Sequence, residues 1–231
     1  MKKHFLFIII LLFAGNLFAQ ETIKQKNRLT ASVTEDYNVL KTDKQTKEGR
    51  YTAIYNRKTA LAFGNYTNNK KNGLWRFFET GGKLIQIFDY SQNKILYEEP
   101  IDSLNQTKII YDFDTKFKDT DRVTKPIKLG GRCYGYIPYL KFYVLPPDLY
   151  DINPLQAVAI LEVLVSPGGR LADFKVHITY QGDEWITSFS PELIDEENKI
   201  FIPATLNHEP VICRIFVRCS ISDDGRLDIG Y

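Results

Sequence analysis

Shifted by 24 residues, the middle of the chain falls on itself: Lys47 on Lys71, Gly49 on Gly73, Tyr66 on Tyr90, Asn69 on Asn93 and Lys70 on Lys94, with Tyr51 opposite Trp75. A fixed period of this size marks a repeat architecture, in which each unit is a supersecondary element that cannot cover its apolar face alone. Each unit reads Lys-x-Gly, an aromatic, a short strand, a turn and a second strand ending in an aromatic. The strands expected are Arg50 to Asn56 and Thr59 to Tyr66, then Leu74 to Glu79 and Leu84 to Tyr90. Gly81-Gly82 supplies the positive φ of a tight hairpin turn.

Lys71 and Trp75 are therefore repeat positions. Tyr51 and Trp75 are expected to stack on one another between hairpins, burying surface that one hairpin leaves open. The competing reading is an aromatic stripe that binds a glycan, a peptide or a lipid headgroup. Repetition favours the core reading, because packing positions must recur whereas a ligand site need occur once.

The runs Gly64-Asn65-Tyr66, Asn68-Asn69-Lys70-Lys71-Asn72-Gly73-Leu74-Trp75 and Gly82-Lys83-Leu84 resemble the MORN-type repeats of the YwqK-like group, whose pattern is G-x-Y-x-N-G-K-x-x-G-x-W, an aromatic strand and N-G-K-L. The resemblance covers residues 36–97. Asn69 stands where the family has the turn glycine, and Arg57-Lys58 makes the earlier unit degenerate. It implies an antiparallel sheet of β-hairpins that leans on a neighbour.

Met1-Lys2-Lys3-His4, the apolar run Phe5 to Phe13 and the small residues of Ala14 to Ala19 follow the order of a secretory signal peptide. The run is shorter than the roughly 20 apolar residues of a spanning helix. Leu17, at −3 of a cut after Ala19, leaves an uncleaved anchor open. Cleavage removes Lys2 and Lys3 and no acid, taking 30 basic residues to 28 against 28 acidic. A neutral exported chain lacks the basic excess that a general nucleic-acid binder uses to displace counterions. The localisation expected is periplasmic or otherwise exported.

Of the three cysteines, Cys213 and Cys219 alternate with Arg214, Arg218 and Ser220 in one apolar-polar strand starting at Val211, so both thiols face its covered side. Six residues of strand hold them about 20 Å apart, beyond the reach of a bridge. A bridge from Cys133 to one of them stays open, beside a free buried thiol.

Residues 98–125 are polar and read as a linker. Asp112 and Asp114 alternate there, with Asp119 and Asp121 following, but the glycine and closing glutamate of a calcium loop are absent. Beyond it, Ala157 to Val165 and Leu171 to Tyr180 form a predicted hairpin around Ser166-Pro167-Gly168-Gly169-Arg170. In its second strand Ala172, Phe174, Val176 and Ile178 alternate with Asp173, Lys175 and His177. Ser190-Pro191-Glu192 carries helix-start chemistry and predicts a short helix through Asn198, after which the Cys213 strand completes a β-β-α-β unit.

That unit resembles the C-terminal domain of TonB-like proteins. Leu129-Gly130-Gly131, Tyr139-Leu140-Lys141-Phe142, the hairpin Pro167 to Val176, Pro191 to Glu197 and Phe201-Ile202-Pro203-Ala204-Thr205-Leu206-Asn207-His208-Glu209-Pro210-Val211 fall in family order over about residues 126–222. His208 replaces the turn glycine and Phe201 the tryptophan. The long Pro- and Lys-rich segment of TonB itself is missing. The resemblance implies a platform that accepts a partner's strand at its sheet edge.

No nucleophile elbow, phosphate loop or metal-ligand spacing occurs. Gly130-Gly131 lacks further glycines, and His177 shares a polar face with Asp173 and Lys175. The chain is thus expected to be α+β and mostly antiparallel β: signal peptide 1–19, polar segment 20–35, MORN-like region 36–97, linker 98–125 and TonB C-terminal-like domain 126–231. The function expected is a non-enzymatic periplasmic binding or scaffold protein contacting an envelope protein, without catalytic, cofactor or metal residues. The alternatives are a TonB-type energy coupler with an uncleaved anchor and an enzyme with an unrecognised site.

Overall fold

The computed structural model describes residues 21–100 and 108–230. The expected leader, residues 1–19, lies outside the described residues. The fold is mostly antiparallel β, with one short α-helix among the described residues, α1 (Ile137–Leu140).

The first sheet is a seven-stranded meander in sequence order: β1 (Thr22–Arg28), β2 (Val33–Leu40), β3 (Lys47–Tyr55), β4 (Thr59–Thr67), β5 (Lys70–Phe78), β6 (Leu84–Asp89) and β7 (Lys94–Glu98). The four strands expected from the repeat are β3 to β6. Tight turns join them, and in the β4–β5 hairpin Asn68 and Asn69 take φ of 49° and 65°. Asn69 thus adopts the left-handed conformation that glycine enters most readily; asparagine tolerates it because its short polar side chain bonds locally. Its Oδ1 accepts from the Lys47 amide at 2.7 Å.

Trp75 and Tyr51 are fully buried, with ring centroids 5.2 Å apart, and Tyr66 meets each of them edge-on. The stack leaves no room at Gly64, where a Cβ would lie 2.3 Å from the indole. β1 and β2 fall largely in the segment read as polar. Only the core face of β2 announces itself, through Val33 and Val39, both wholly buried.

The second sheet has six strands. In order these are β13 (Asp183–Phe189), β12 (Leu171–Tyr180), β11 (Val158–Val165), β17 (Cys213–Ile221) and β18 (Leu227–Ile229), with β8 (Ile109–Phe113) paired to β17. β8 and β18 lie end to end on one edge of β17, against Cys213–Val217 and Cys219–Ile221. β8 lies inside the segment read as linker. β11 and β12 are the expected hairpin, but a bulge between Leu164 and Val165 puts Leu171 on the core face and leaves Ala172 exposed, the reverse of the simple alternation.

Two small ladders lie beside the six-stranded sheet, both built within residues 123–211. β10 (Ile127–Lys128) pairs with β14 (Phe201–Ile202), while β15 (Ala204–Leu206) lies between β9 (Val123–Thr124) and β16 (Glu209–Val211). At the β15–β16 turn Asn207 and His208 take φ of 52° and 74°, both in the left-handed region.

The helix expected over Ser190 to Asn198 is not formed. Pro191–Leu193 and Glu196–Lys199 are separate 3-10 turns, broken by extended backbone at Ile194 and Asp195. Ser190 does cap the first turn, accepting from the Glu192 amide at 3.2 Å. The break lets Ile194 enter the core at 2% exposure.

One hydrophobic cluster runs from Val33 and Trp75 through Tyr134, Tyr139 and Phe174 to Ile229, so the two sheets share a core. Buried polar ties cross it. Gln86 Oε1 accepts from the Gly130 and Gly131 amides at 2.8 and 3.1 Å, and the Tyr134 hydroxyl donates to that of Tyr51 at 2.8 Å. Asp228 accepts from the Thr30 hydroxyl and the Ser32 amide, each at 2.6 Å.

Candidate functional site

Where the first sheet meets the 3-10 turns, the repeat builds a cleft of about 250 Å³. Lys47 and Lys71 occupy equivalent places in successive units and point the same way, because 24 residues of hairpin return each strand position to the same face. Lys47 Nζ lies over the rings of Tyr37, Tyr51 and Tyr66 at 4.4, 5.3 and 5.3 Å, and Lys71 Nζ over Trp75 and Tyr90 at 5.4 and 5.5 Å. Each lysine also meets one carboxylate, Lys47 with Glu35 at 3.3 Å and Lys71 with Glu197 at 3.2 Å. The question of core or binding site at Lys71 and Trp75 thus divides between the two residues. Trp75 is core, and Lys71 lines a cleft.

The electrostatics follow from burial. The Lys71 side chain is 4% exposed. Burial pulls its ammonium below the usual lysine range and Lys47 adds to that, while Glu197 holds it up. Burial raises the Tyr66 and Tyr51 hydroxyls well above the usual phenol range. Behind the cleft, Lys128 has backbone acceptors only, Asn198 O at 2.5 Å and Ile200 O at 3.3 Å, with the Phe201 ring 4.4 Å away. Burial, then Lys71, depresses its ammonium strongly.

A second feature is the free edge of the six-stranded sheet. β13 pairs with β12 on one side and with nothing on the other among the described residues. It was not foreseen from the sequence, although Trp185-Ile186-Thr187-Ser188-Phe189 is a run of β-formers directly after the Gln181-Gly182 turn. Trp185 and Phe189 pack on the core, while Ile186 is 54% exposed on the outer face.

The remaining sequence candidates are placed as follows. His177 lies between Glu162 at 2.7 Å and Glu184 at 3.0 Å, while Asp173 pairs instead with Lys175 at 3.4 Å. The imidazole is mostly covered, 16% exposed, because two neighbouring strands each place a glutamate against it. Asp114 approaches Arg214 at 3.8 Å, and Asp121 binds the Asn207 amide group at 2.9 Å. Among the described residues no group of three His, Cys, Asp or Glu side chains is placed to hold a metal ion.

All three cysteines are buried, and no disulfide joins them, so Cys133 forms no bridge. Burial pushes the Cys213 and Cys219 thiols up to about 12. Arg218 is exposed, whereas Arg214 is half-buried beside Glu162 at 3.6 Å. Among the described residues no helix is long and apolar enough to cross a membrane.

Comparison of the chain with family models, curated proteins and solved structures gives no match. Function is therefore argued from geometry and chemistry.

Proposed function

We propose that this chain is an exported, non-enzymatic binding or scaffold protein that accepts a strand of an envelope protein on the free edge of β13. In this reading residues 36–97 are MORN-type repeats and residues 126–231 a TonB C-terminal-like platform, with residues 1–19 as the export leader. The observation that supports it is the chemistry of the edge. Proteins blunt exposed edges with lysine, proline or bulges. β1, the outer strand of the other sheet, carries Lys24, Lys26 and Arg28 in this way. Along β13 there is no lysine, arginine or proline, and its outward side chains beyond Glu184 are Ile186 and Ser188. Such an edge suits β-augmentation, in which main-chain bonds give affinity and alternate side chains give selectivity.

The test is a photo-crosslinking residue at Ser188, used in envelope fractions and compared with the same protein carrying Ile186→Lys. One crosslinked envelope protein, lost when the edge is charged, is expected. Equal crosslinking with Ile186→Lys overturns the edge reading. Intact mass of the periplasmic protein tests the leader, and retention of Met1 in the membrane pellet overturns it.

A further inference from the structure

The cleft beside Lys71 lies apart from the β13 edge, and several of its lining groups keep hydrogen-bonding capacity that the fold leaves open. The Lys71 ammonium has three N–H donors, and among the described residues Glu197 is its one acceptor. The Tyr66 hydroxyl lines the same cleft on a residue 6% exposed, and among the described residues it has no hydrogen-bond partner. Lys47 stands near both, 27% exposed and likewise held by one carboxylate. Lys71 and the Tyr66 hydroxyl side by side, with a second ammonium nearby, form a donor set suited to an anionic oxygen from outside the chain.

At the rim of the cleft Asp195, an exposed residue, offers the opposite charge. Its carboxylate makes no cap bond to the turn it precedes and no ion pair among the described residues. The formal charges lining the cleft balance, Lys47, Lys71 and Lys141 against Glu35, Asp195 and Glu197. A simple anion would upset that balance beside two glutamates, whereas a ligand carrying both signs preserves it. The cleft, about 250 Å³, lies below the usual size of a drug-like site.

We propose that this cleft binds a small zwitterion of amino-acid or dipeptide size, its carboxylate held by Lys71, Lys47 and the Tyr66 hydroxyl and its ammonium by Asp195. The repeat gives the reason for the location. Successive units bring equivalent lysines to one face, and the Asp195–Glu197 stretch closes over them with acids.

Calorimetric titration of the full chain at pH 7 tests this with L-Ala-L-Ala, its C-terminal amide, its N-acetyl derivative and inorganic phosphate. The free dipeptide is expected to bind saturably. Each derivative, lacking one charge, should bind at least about tenfold more weakly, the worth of a charge-assisted hydrogen bond. Lys71→Met should abolish binding. Tyr66→Phe, which removes one oxygen from a packed ring, should weaken it about tenfold while the melting transition stays in place, so a Lys71 variant that fails to fold leaves the proposal exposed to refutation. Absence of saturable dipeptide binding overturns it. So does phosphate binding as tightly as the dipeptide, which would mean a plain anion site, or undiminished binding by Tyr66→Phe. None of these outcomes bears on the β13 edge.

Discussion

The seven-stranded sheet covers its inner face with Tyr51, Tyr66, Trp75 and Phe77 and sets Lys71 and Gln86 among them, whereas the centre of the six-stranded sheet uses Leu161, Val163, Val176, Ile178 and Ile215, with Phe174 and Phe189 toward its β13 side. Both faces are dry and belong to one core. Their tolerance of polar groups differs. An aromatic wall can hold a buried ammonium, because ring faces attract cations and tyrosine hydroxyls offer hydrogen bonds at the wall's edge. The aliphatic centre around Leu161, Val163 and Ile215 has neither resource. The difference teaches where a chain of this kind can place recognition chemistry: a cleft on the aromatic sheet, and on the aliphatic sheet only the backbone of an open edge.

Substitutions can break or sharpen that contrast. Trp75→Ala removes the centre of the aromatic wall and should cost about 3 to 5 kcal/mol in urea unfolding, the usual range for losing a buried large aromatic. A loss below about 1 kcal/mol would mean that the rings do not act as a packed unit. Cys213→Asp asks the aliphatic wall to hold a carboxylate at a wholly buried position and should cost about 2 to 4 kcal/mol or force its protonation. In the native protein Cys213 and Cys219 should resist alkylation, and rapid labelling would move them off the covered face. Their raised thiol pKa stabilises the fold below the unfolded value of about 8.5, and that contribution should fade as pH rises toward about 12.

Arg214→Asp would set a carboxylate beside Glu162 and Asp114 and should cost about 1 to 2 kcal/mol. Arg218→Asp, at an exposed site of the same strand, should stay within about 0.5 kcal/mol. Equal effects would erase the distinction the ion pairs draw. A smaller change is expected at Glu98, on β7, whose Oε2 accepts from Gln86 at 2.7 Å and whose carboxyl burial raises to about 7. A folded pKa above the unfolded value of about 4.3 contributes stability at low pH that is lost as pH rises through about 7. Glu98→Gln should therefore lose less stability than the parent between these limits, as read from urea midpoints across the range. The smallest effect should come from Lys71→Met: an apolar chain of similar length on an aromatic wall is expected to keep or raise the melting temperature. A large loss would show that the ammonium serves the fold.

The repeat was legible because packing positions must recur: Lys47, Lys71, Tyr51 and Trp75 announce the same face twice. The Cys213 strand was legible from its strict alternation, and the structure keeps its thiols inside and Arg218 outside. β1 was not, since Thr22–Arg28 has no run of apolar residues and is a strand only because β2 pairs along its whole length. The helix reading at Ser190 took a real cap for the start of an element that the core needs broken at Ile194. Half of the cleft was visible. The lysines and tyrosines carry the period, but Asp195 and Glu197 arrive from more than 120 residues away, and no local pattern encodes that meeting. Lys128 is still less legible, because nothing in its neighbours shows that its ammonium ends on two carbonyl groups.

Asp228 joins residues 196 and 198 positions earlier in the chain, holding the Ser32 amide and the Thr30 hydroxyl that together organise the β1–β2 turn. The entropy of closing so long a loop grows only slowly with its length, but contacts of such high sequence separation form late and slow the search for the native state. The first hairpin in sequence therefore receives its cap from one of the last strands to be made, and a chain halted before residue 228 would leave that turn to its local bonds alone, chiefly the Leu29 amide to the Val33 carbonyl at 2.8 Å. Once formed, the clasp makes opening of the turn depend on release of β18. The Ser32 amide should thus exchange its hydrogen with solvent at the rate of that larger unit, far more slowly than its place in a surface turn would suggest.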